Sequence, residues 1–246
     1  MVLRLTSLGL LCCLLAQPGL GQRNAQSPDL KTIVEQMMAA QTENRVHVRP
    51  FVIRRGYLLL DKQAQQKASV VASITVLPPD SRHYQIESSS GGVGEKVLRD
   101  ILIRETEAPK DARRKELSLD NYDFQLLGQE QMDGRRCYLI ALNPRREEKD
   151  LLRGKLWVDA ETFNIHRVQG SLMKNPSWWI HDVQILMRFA EVDGMWLRTF
   201  TQAVANVRFK GKYVMESRDL EYHTIEQTAS NSRINPGILA GVAIQP

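Results

Sequence analysis

The segment from Gly154 to Phe200 constrains the fold more than any other part of the chain, because its apolar and polar residues alternate between short turns. Side chains of a half-buried strand point alternately to the two faces of a sheet, which gives a period of two. The third run carries its apolar residues on one face: Val183, Ile185, Met187 and Phe189. The pattern predicts four consecutive antiparallel strands, at Lys155–Asp159, Asn164–Leu172, His181–Val192 and Met195–Val207.

Two Asp-Gly pairs predict tight hairpins. Asp193-Gly194 joins the third and fourth of these strands, and Asp133-Gly134 joins two earlier runs, Tyr122–Gln131 and Arg136–Leu142. A type I′ turn needs positive φ at both central residues, and Asp-Gly adopts that geometry readily.

Two amphipathic helices are also predicted. The first begins at Ser27 as N-cap, has Pro28 as its first residue and Asp29 in its first turn, and runs to about Thr42. Its apolar residues recur at helical spacing: Leu30, Ile33, Val34, Met37 and Met38. The second helix, Gly94–Arg104, follows a Gly-rich entry, and its apolar residues are Val93, Val97, Leu98, Ile101 and Leu102.

The remaining alternating runs complete a mainly antiparallel α+β fold. Further strands are predicted at Val46–Asp61 (interrupted near Pro50 and Gly56), Ala68–Leu77, Arg82–Ser88 and Tyr213–Tyr222. About ten strands and two helices then form a strongly curved half-open β-barrel, with the helices packed across its concave side. Such an arrangement leaves an apolar cavity where sheet and helices meet.

The C-terminal part of this pattern resembles a known superfamily. A strand ending in Trp-Val-Asp, a turn, a second strand, a long strand and an acidic-Gly turn occur in order, with these matching residues: Leu156, Trp157, Val158, Asp159, Ile165, Arg167, Val168, Gly170, Val192, Asp193, Gly194, Trp196 and Leu197. The segment resembles the bacterial outer-membrane lipoprotein-sorting superfamily, which includes the LolA and LolB carriers and sensor domains similar to MucB and RseB. The resemblance covers about residues 28–225.

The resemblance implies a function as well as a fold. It implies a non-enzymatic carrier that binds acyl chains of lipids or lipoproteins in an apolar cavity covered by helices. The alternative is a MucB/RseB-like sensor that regulates a membrane-protein partner. Carriers of the LolA type hold the covering helices closed with an arginine near the early strands. Arg49, Arg54 and Arg55 lie in that region, and no motif selects one of them.

The N-terminal segment predicts export. Residues 1–21 combine the positive charge of Arg4 with an apolar run, Leu8–Ala16, and small residues before Gln22, which is typical of a cleaved signal peptide. A periplasmic protein is therefore expected. Residues 22–27 form a polar leader, 28–225 the half-barrel domain, and 226–246, which lack periodicity, a flexible tail.

Several function classes find no support in the sequence. No histidine or cysteine spacing matches a metal site, and no G-x-S-x-G elbow or P-loop is present, so neither cofactor nor catalytic residues are predicted. The net charge of +5 comes from basic residues spread among 28 acidic ones, which argues against nucleic acid as a partner. Cys137 lies in a strand-like run and is predicted to be a buried small hydrophobe. A reactive thiol or a bond between chains is the alternative.

The candidate lipid-binding residues fall into three groups. Leu98, Ile101 and Leu102 lie on the second helix, and Phe51 and Ile53 lie on the first strand. Trp178 and Trp179 stand between two strands, either at the barrel mouth in contact with an acyl chain or membrane interface, or as a cap on the core.

Overall fold

The computed structural model describes residues 28–79, 81–107, 116–148 and 151–225. Within those ranges the chain forms two helices, α1 (Leu30–His47) and α2 (Val93–Thr106), and ten strands. The strands are β1 (Phe51–Leu60), β2 (Gln66–Leu77), β3 (Ser81–Ser90), β4 (Tyr122–Met132), β5 (Arg135–Pro144), β6 (Leu152–Asp159), β7 (Ile165–Leu172), β8 (Ile180–Val192), β9 (Met195–Val207) and β10 (Gly211–Thr224). The predicted signal peptide, polar leader and tail lie outside the described residues.

All ten strands form one antiparallel sheet in the order β3-β2-β1-β10-β9-β8-β7-β6-β5-β4. Strands that follow each other in sequence pair with each other, except β3 and β4, and β10 returns to lie beside β1. Because β3 and β4 do not pair with each other, the sheet does not close. The predicted fold class, a mainly antiparallel half-open barrel with helices, is confirmed.

The two predicted Asp-Gly hairpins are confirmed. Asp133 and Gly134 have φ of 51° and 78°, and Asp193 and Gly194 have φ of 49° and 75°. Positive φ at both central residues is the geometry that a type I′ turn requires.

The start and end of α1 differ from the prediction. Asp29 is the N-cap, and its carboxylate accepts a hydrogen bond from the Thr32 amide at 2.8 Å, so Pro28 precedes the helix instead of opening it. Ser27 lies outside the described residues. The helix also continues past Thr42 to His47. It is secured there by Asn44, whose side chain donates to the Trp196 carbonyl at 2.8 Å and accepts from the Trp196 amide at 2.7 Å.

The first strand is correspondingly shorter than predicted. It begins at Phe51, because Val46 and His47 belong to α1. The predicted interruption at Gly56 is wrong, since Gly56 pairs with Val71 and Arg218 within a continuous strand. The irregularity is a bulge between Arg54 and Arg55, where the register with β10 shifts.

Both helices lie on the same face of the sheet, which we call the inner face. Directly paired residues point to one side, and one such row crosses the sheet: Tyr57, Ser217, Thr201, Met187, Val168, Leu156 and Ile140. Tyr57 packs beneath α2, in a cluster with Leu98 and Leu102. Leu156 and Ile140, at the other end of the row, pack in the cluster that contains α1.

Two hydrophobic clusters hold the helices. The larger joins α1 to β5, β6 and β7 through fully buried side chains that include Ile33, Val34 and Met37. The smaller joins α2 to β1 and β2. The apolar stripe predicted for α1 is therefore confirmed. On α2, Leu98 and Leu102 are buried, whereas Val93 and Val97 are exposed.

Cys137 lies on the opposite face of β5 and is fully buried beside Leu139 and Trp157, which confirms the interpretation as a small hydrophobe. Burial raises the pKa of its thiol to about 11, with a smaller contribution from Asp159. We expect the peptide that contains Cys137 to resist alkylation at pH 8 in the native protein and to be labelled fully in guanidinium chloride, as measured by mass spectrometry. Rapid native labelling would contradict this burial.

Candidate binding site on the inner face

A strip of the inner face between the two helices is only half-buried. The helix α2 packs on β1, β2 and β3, and α1 packs on β4, on side chains of β5, β6 and β7 and on the start of β9. Apolar side chains of the intervening strands point to the same side and are partly exposed: Ile185, Met187, Ala203, Ala205 and Met215. We call this strip the trough.

Small residues form the floor of the trough, so little side-chain volume projects from the sheet there. Gly154 and Gly170 face each other across β6 and β7, in line with Ala203 and Ile185. A Cβ on Gly154 would collide with the Gln169 carbonyl oxygen, so the two strands come together at a point where only glycine fits.

A cluster of four charged side chains, which we call the charge cluster, closes one end of the trough. Arg55 donates from Nε to Asp219 at 2.6 Å and from Nη1 to Glu105 at 3.2 Å. Arg198 reaches the other oxygen of Glu105 at 3.1 Å, and the Tyr57 hydroxyl donates to Glu105 at 2.7 Å. Glu105 belongs to the last turn of α2, whereas its partners belong to the sheet, so the cluster ties the end of that helix to the floor.

Burial affects three of the four charged groups differently. Burial raises the pKa of Glu105, but Arg198 and Arg55 outweigh it and hold that pKa below its usual value. For Asp219, burial outweighs the bond from Arg55, and its pKa lies above its usual value. Burial opposes the charge on Arg55, yet Asp219 and Glu105 raise its pKa. Glu105 is therefore ionised near neutral pH, and removal of one of its arginine partners leaves its buried charge less compensated.

Thr201 adds a polar group at the centre of the inner face. It is 7% exposed, and its hydroxyl has no hydrogen-bond partner within the described ranges. It pairs with Met187 on one side and Ser217 on the other. An unpartnered buried hydroxyl is uncommon, because leaving it so costs roughly 1–3 kcal/mol.

The entry to α2 is built from glycines that touch the sheet. Gly91 and Gly92 have φ of 110° and 55°, which residues with a side chain rarely adopt. A Cβ on Gly91 would collide with the Lys67 carbonyl oxygen, and one on Gly94 would lie 2.9 Å from the Ala68 Cβ. The helix is thus held closely at its start by backbone packing and at its end by the charge cluster.

The predicted lipid-binding residues occupy three separate places. Leu98 and Leu102 are fully buried under α2, with Ile101 partly buried beside them. The side chains of Phe51 and Ile53 pack with Met195 and Tyr222 in a different cluster. Trp178 and Trp179 are 61% and 45% exposed at the start of β8, so neither caps the core.

The charge cluster was the part of the site that sequence reasoning missed. Arg55 was one of three candidate arginines, and its alternation with Phe51, Ile53 and Tyr57 was the available signal that it points inward. Glu105, Asp219 and Arg198 come from distant elements, and no spacing in the sequence connects them. Arg49 and Arg54 point elsewhere: Arg49 donates to the Asp193 carbonyl, and Arg54 pairs with exposed Glu87 and Glu221.

The described residues also show what kinds of site are absent from them. Within the described residues, no group of three or more His, Cys, Asp or Glu side chains is arranged to hold a metal ion. No helix in those ranges has the length and apolar character needed to cross a membrane.

Comparison with known proteins gives one family model and several solved structures. The model, for a family of unknown function (DUF5686), matches residues 115–222. No curated protein matches the sequence.

Three of the solved structures illustrate the likeness. A domain from Vibrio parahaemolyticus assigned to outer membrane lipoprotein sorting is 12% identical, covers 86% of this chain and 99% of its own, and has a TM-score of 0.46. A LolA superfamily protein from Nitrosomonas europaea is 12% identical over 80% and 93%, with a TM-score of 0.41. MucB in the Pseudomonas aeruginosa MucA/MucB complex is also 12% identical, over 78% and 99%, with a TM-score of 0.29. At these identities we base the functional proposal on the residues of this chain.

Proposed function

We propose that this chain is a non-enzymatic periplasmic carrier that binds acyl chains of lipids or lipoproteins in the trough. The observation that carries the proposal is the half-buried apolar strip between the helices, with α2 beside it as a cover fastened by Glu105. A half-buried apolar strip with a few polar groups at one end suits a ligand that has a long apolar part and a polar head.

The dimensions of the trough fit such a ligand. From Thr201 to Val207, strand β9 spans roughly 20 Å at about 3.3 Å per residue. Its inward side chains along this length are small and apolar, including Ala203 and Ala205. At one end, the Thr201 hydroxyl and the charge cluster offer hydrogen-bonding groups to a polar head.

In this proposal α2 acts as a lid. Its glycine entry is the pivot, and separation of Glu105 from Arg55 and Arg198 releases its other end. Lifting the helix exposes Leu98, Ile101 and Leu102, which then contact the acyl chain. Phe51 and Ile53 lie beyond the charge cluster, so a chain reaches them only after the cluster opens. Trp178 and Trp179, at the opposite strand ends, contact lipid outside the trough.

Native mass spectrometry of the protein purified from the periplasm tests the carrier proposal. We expect mass additions that correspond to lipid and that disappear after extraction with organic solvent. A saturable response to a fluorescent fatty acid should follow in the extracted protein. An unmodified mass together with no response to the probe would overturn the proposal. Recovery of a stoichiometric protein partner without lipid would favour the sensor function instead.

Removing the negative charge of Glu105 should accelerate ligand entry. The change Glu105→Gln removes the charge that Arg55 and Arg198 share while keeping the size of the side chain, so the lid should open more often. We expect a faster association of the fluorescent fatty acid in stopped-flow measurements. The matched control is Glu95→Gln, because Glu95 lies on the same helix and pairs with Ser89 and Arg99 near the surface. Equal association rates for both variants and the unmodified protein would contradict the claim that Glu105 holds α2 closed.

A further inference from the structure

The aromatic residues at one end of the sheet form an exposed patch that packing does not explain. Trp178 and Trp179 stack with ring centroids 3.7 Å apart, and Trp179 meets Phe209 edge-on at 6.4 Å. Their exposed fractions are 61%, 45% and 89%. A contiguous apolar patch of this kind on a soluble protein marks a surface that contacts another body. We call these three residues the aromatic patch.

The patch is held in place by backbone contacts between two segments. The Arg208 amide donates to the Trp179 carbonyl at 2.9 Å, and Ile180 pairs with Val207 in the sheet. Phe209 occupies the turn between β9 and β10 with φ of 65°, a region that glycine or asparagine normally fills. A bulky aromatic residue held in this conformation and left exposed serves no packing purpose, which points to a role at the surface.

Basic residues lie on the segments that carry the aromatic patch. The Arg208 guanidinium lies 5.4 Å from the Trp178 ring, and Lys174, Lys210 and Lys212 lie on the same two segments. These three lysines form no ion pair within the described residues. A fourth lysine, Lys62, also has no ion pair in the described part of the chain, and its side chain comes within 3.8 Å of the position that a Gly211 Cβ would take.

Two carboxylates near this end of the sheet offset only part of this charge. Asp61 pairs with Lys67 at 2.8 Å. Asp182 is hydrogen-bonded to His181 at 2.6 Å and to Asn206 at 3.1 Å, and these bonds lower its pKa, so it keeps its negative charge. The four lysines and Arg208 therefore outnumber the two carboxylates at this end of the sheet.

We infer that the aromatic patch docks on an anionic lipid bilayer. Tryptophan prefers the membrane interface, where its ring is apolar and its N–H is hydrated, and lysines beside it attract anionic head groups. The rings project from turns and are not recessed in a groove, so they can enter a bilayer surface without a complementary pocket. This inference stands apart from acyl-chain binding in the trough, although the two would cooperate. The strand ends that carry the patch also carry the glycine entry of α2, so docking would turn this end of the trough toward the lipid.

Co-sedimentation with lipid vesicles tests the inference. We expect the unmodified protein to bind vesicles of phosphatidylethanolamine and phosphatidylglycerol, to lose binding at high salt, and to show a blue-shifted tryptophan emission on binding. The double variant Trp178→Ser/Trp179→Ser should partition at least about tenfold more weakly. The variant Phe209→Asn, which suits the positive φ, should weaken binding without loss of thermal stability. Because these proteins differ only at the substituted residues, a difference in vesicle binding reports on the aromatic patch.

Another exposed aromatic residue provides the control. Tyr84→Ser, a change of a comparably exposed aromatic residue on edge strand β3, should leave vesicle binding unchanged. Failure of the unmodified protein to bind these vesicles would overturn the inference, as expected if the patch instead meets a protein. Equal binding by the tryptophan double variant, or equal binding to pure phosphatidylcholine, would also overturn it. Fatty-acid affinity measured without vesicles should be the same in the unmodified protein and in the tryptophan double variant. The docking inference and the carrier proposal can therefore fail separately.

Discussion

The variant Arg55→Ala is expected to lose about 3–5 kcal/mol of unfolding free energy, the usual cost of removing one partner from a buried ion pair. The side chain of Arg55 is 10% exposed and balances two carboxylates, Glu105 and Asp219, at 16% and 12% exposure. Without Arg55 the carboxylates lose a shared cation, and the Tyr57 hydroxyl cannot replace it. Chemical denaturation at pH 7.5 measures the loss.

The pH dependence of this loss identifies its cause. In the variant the pKa of Asp219 should lie still further above that in the unfolded chain, because Asp219 stays buried and loses its bond from Arg55. A folded-state pKa that is raised in this way means that stability falls as pH rises through it and recovers as pH is lowered. The difference between the variant and the unmodified protein should therefore shrink from pH 7.5 to pH 5. A difference that is independent of pH would point to lost packing instead.

Arg54→Ala is the matched control for Arg55→Ala. Arg54 is the adjacent residue and also pairs with two glutamates, but it points to the opposite face and is 39% exposed. Solvent screens such pairs, so the control should be much less destabilised. Equal destabilisation of the two variants would contradict the assignment of Arg55 to a buried cluster.

The variant Leu102→Ala is expected to lose about 2–5 kcal/mol, the range for truncating a fully buried leucine. Leu102 is completely buried beneath α2, where it packs in one cluster with Tyr57 and Val70. Because most contacts of α2 are with β1, β2 and β3, part of the loss should appear as local opening of the helix. Hydrogen exchange should therefore rise in residues 93–106 more than in α1.

Ile103→Ala is the neighbouring control on the same helix. Ile103 is 37% exposed and is not part of the buried cluster, so its truncation removes less packing. We expect a much smaller change in stability and little change in hydrogen exchange. If Ile103→Ala and Leu102→Ala had the same effect, the packing face of α2 would be misassigned.

The sheet could be predicted because its signals are local. Alternation in the run that became β8, and the two Asp-Gly turns, each depend on residues within a few positions of one another. Element boundaries failed where a distant contact intervened: Asn44 binds Trp196, which extends α1 into a region predicted as strand. Gly56 did not interrupt β1, because pairing on both sides outweighs its weak strand preference.

The candidate site was less predictable for the same reason. Leu98 and Leu102 were recognised as apolar residues of one helix face, but their burial against Tyr57 depends on the way the sheet folds back. Glu105 and Arg198 are 93 positions apart in the sequence and meet only in the folded protein. The trough itself is a property of the row of paired residues across β8, β9 and β10, and no single segment contains it.

Filling the trough tests the central claim most directly. The measurement is the affinity of a fluorescent fatty acid for the unmodified protein, for Ala203→Trp and for Val204→Trp. Ala203 points into the trough, whereas Val204, the next residue on β9, points to the other face. We predict at least about a tenfold loss of affinity for Ala203→Trp and little change for Val204→Trp, with similar melting temperatures. Equal affinities for all three proteins would contradict a binding site between the two helices.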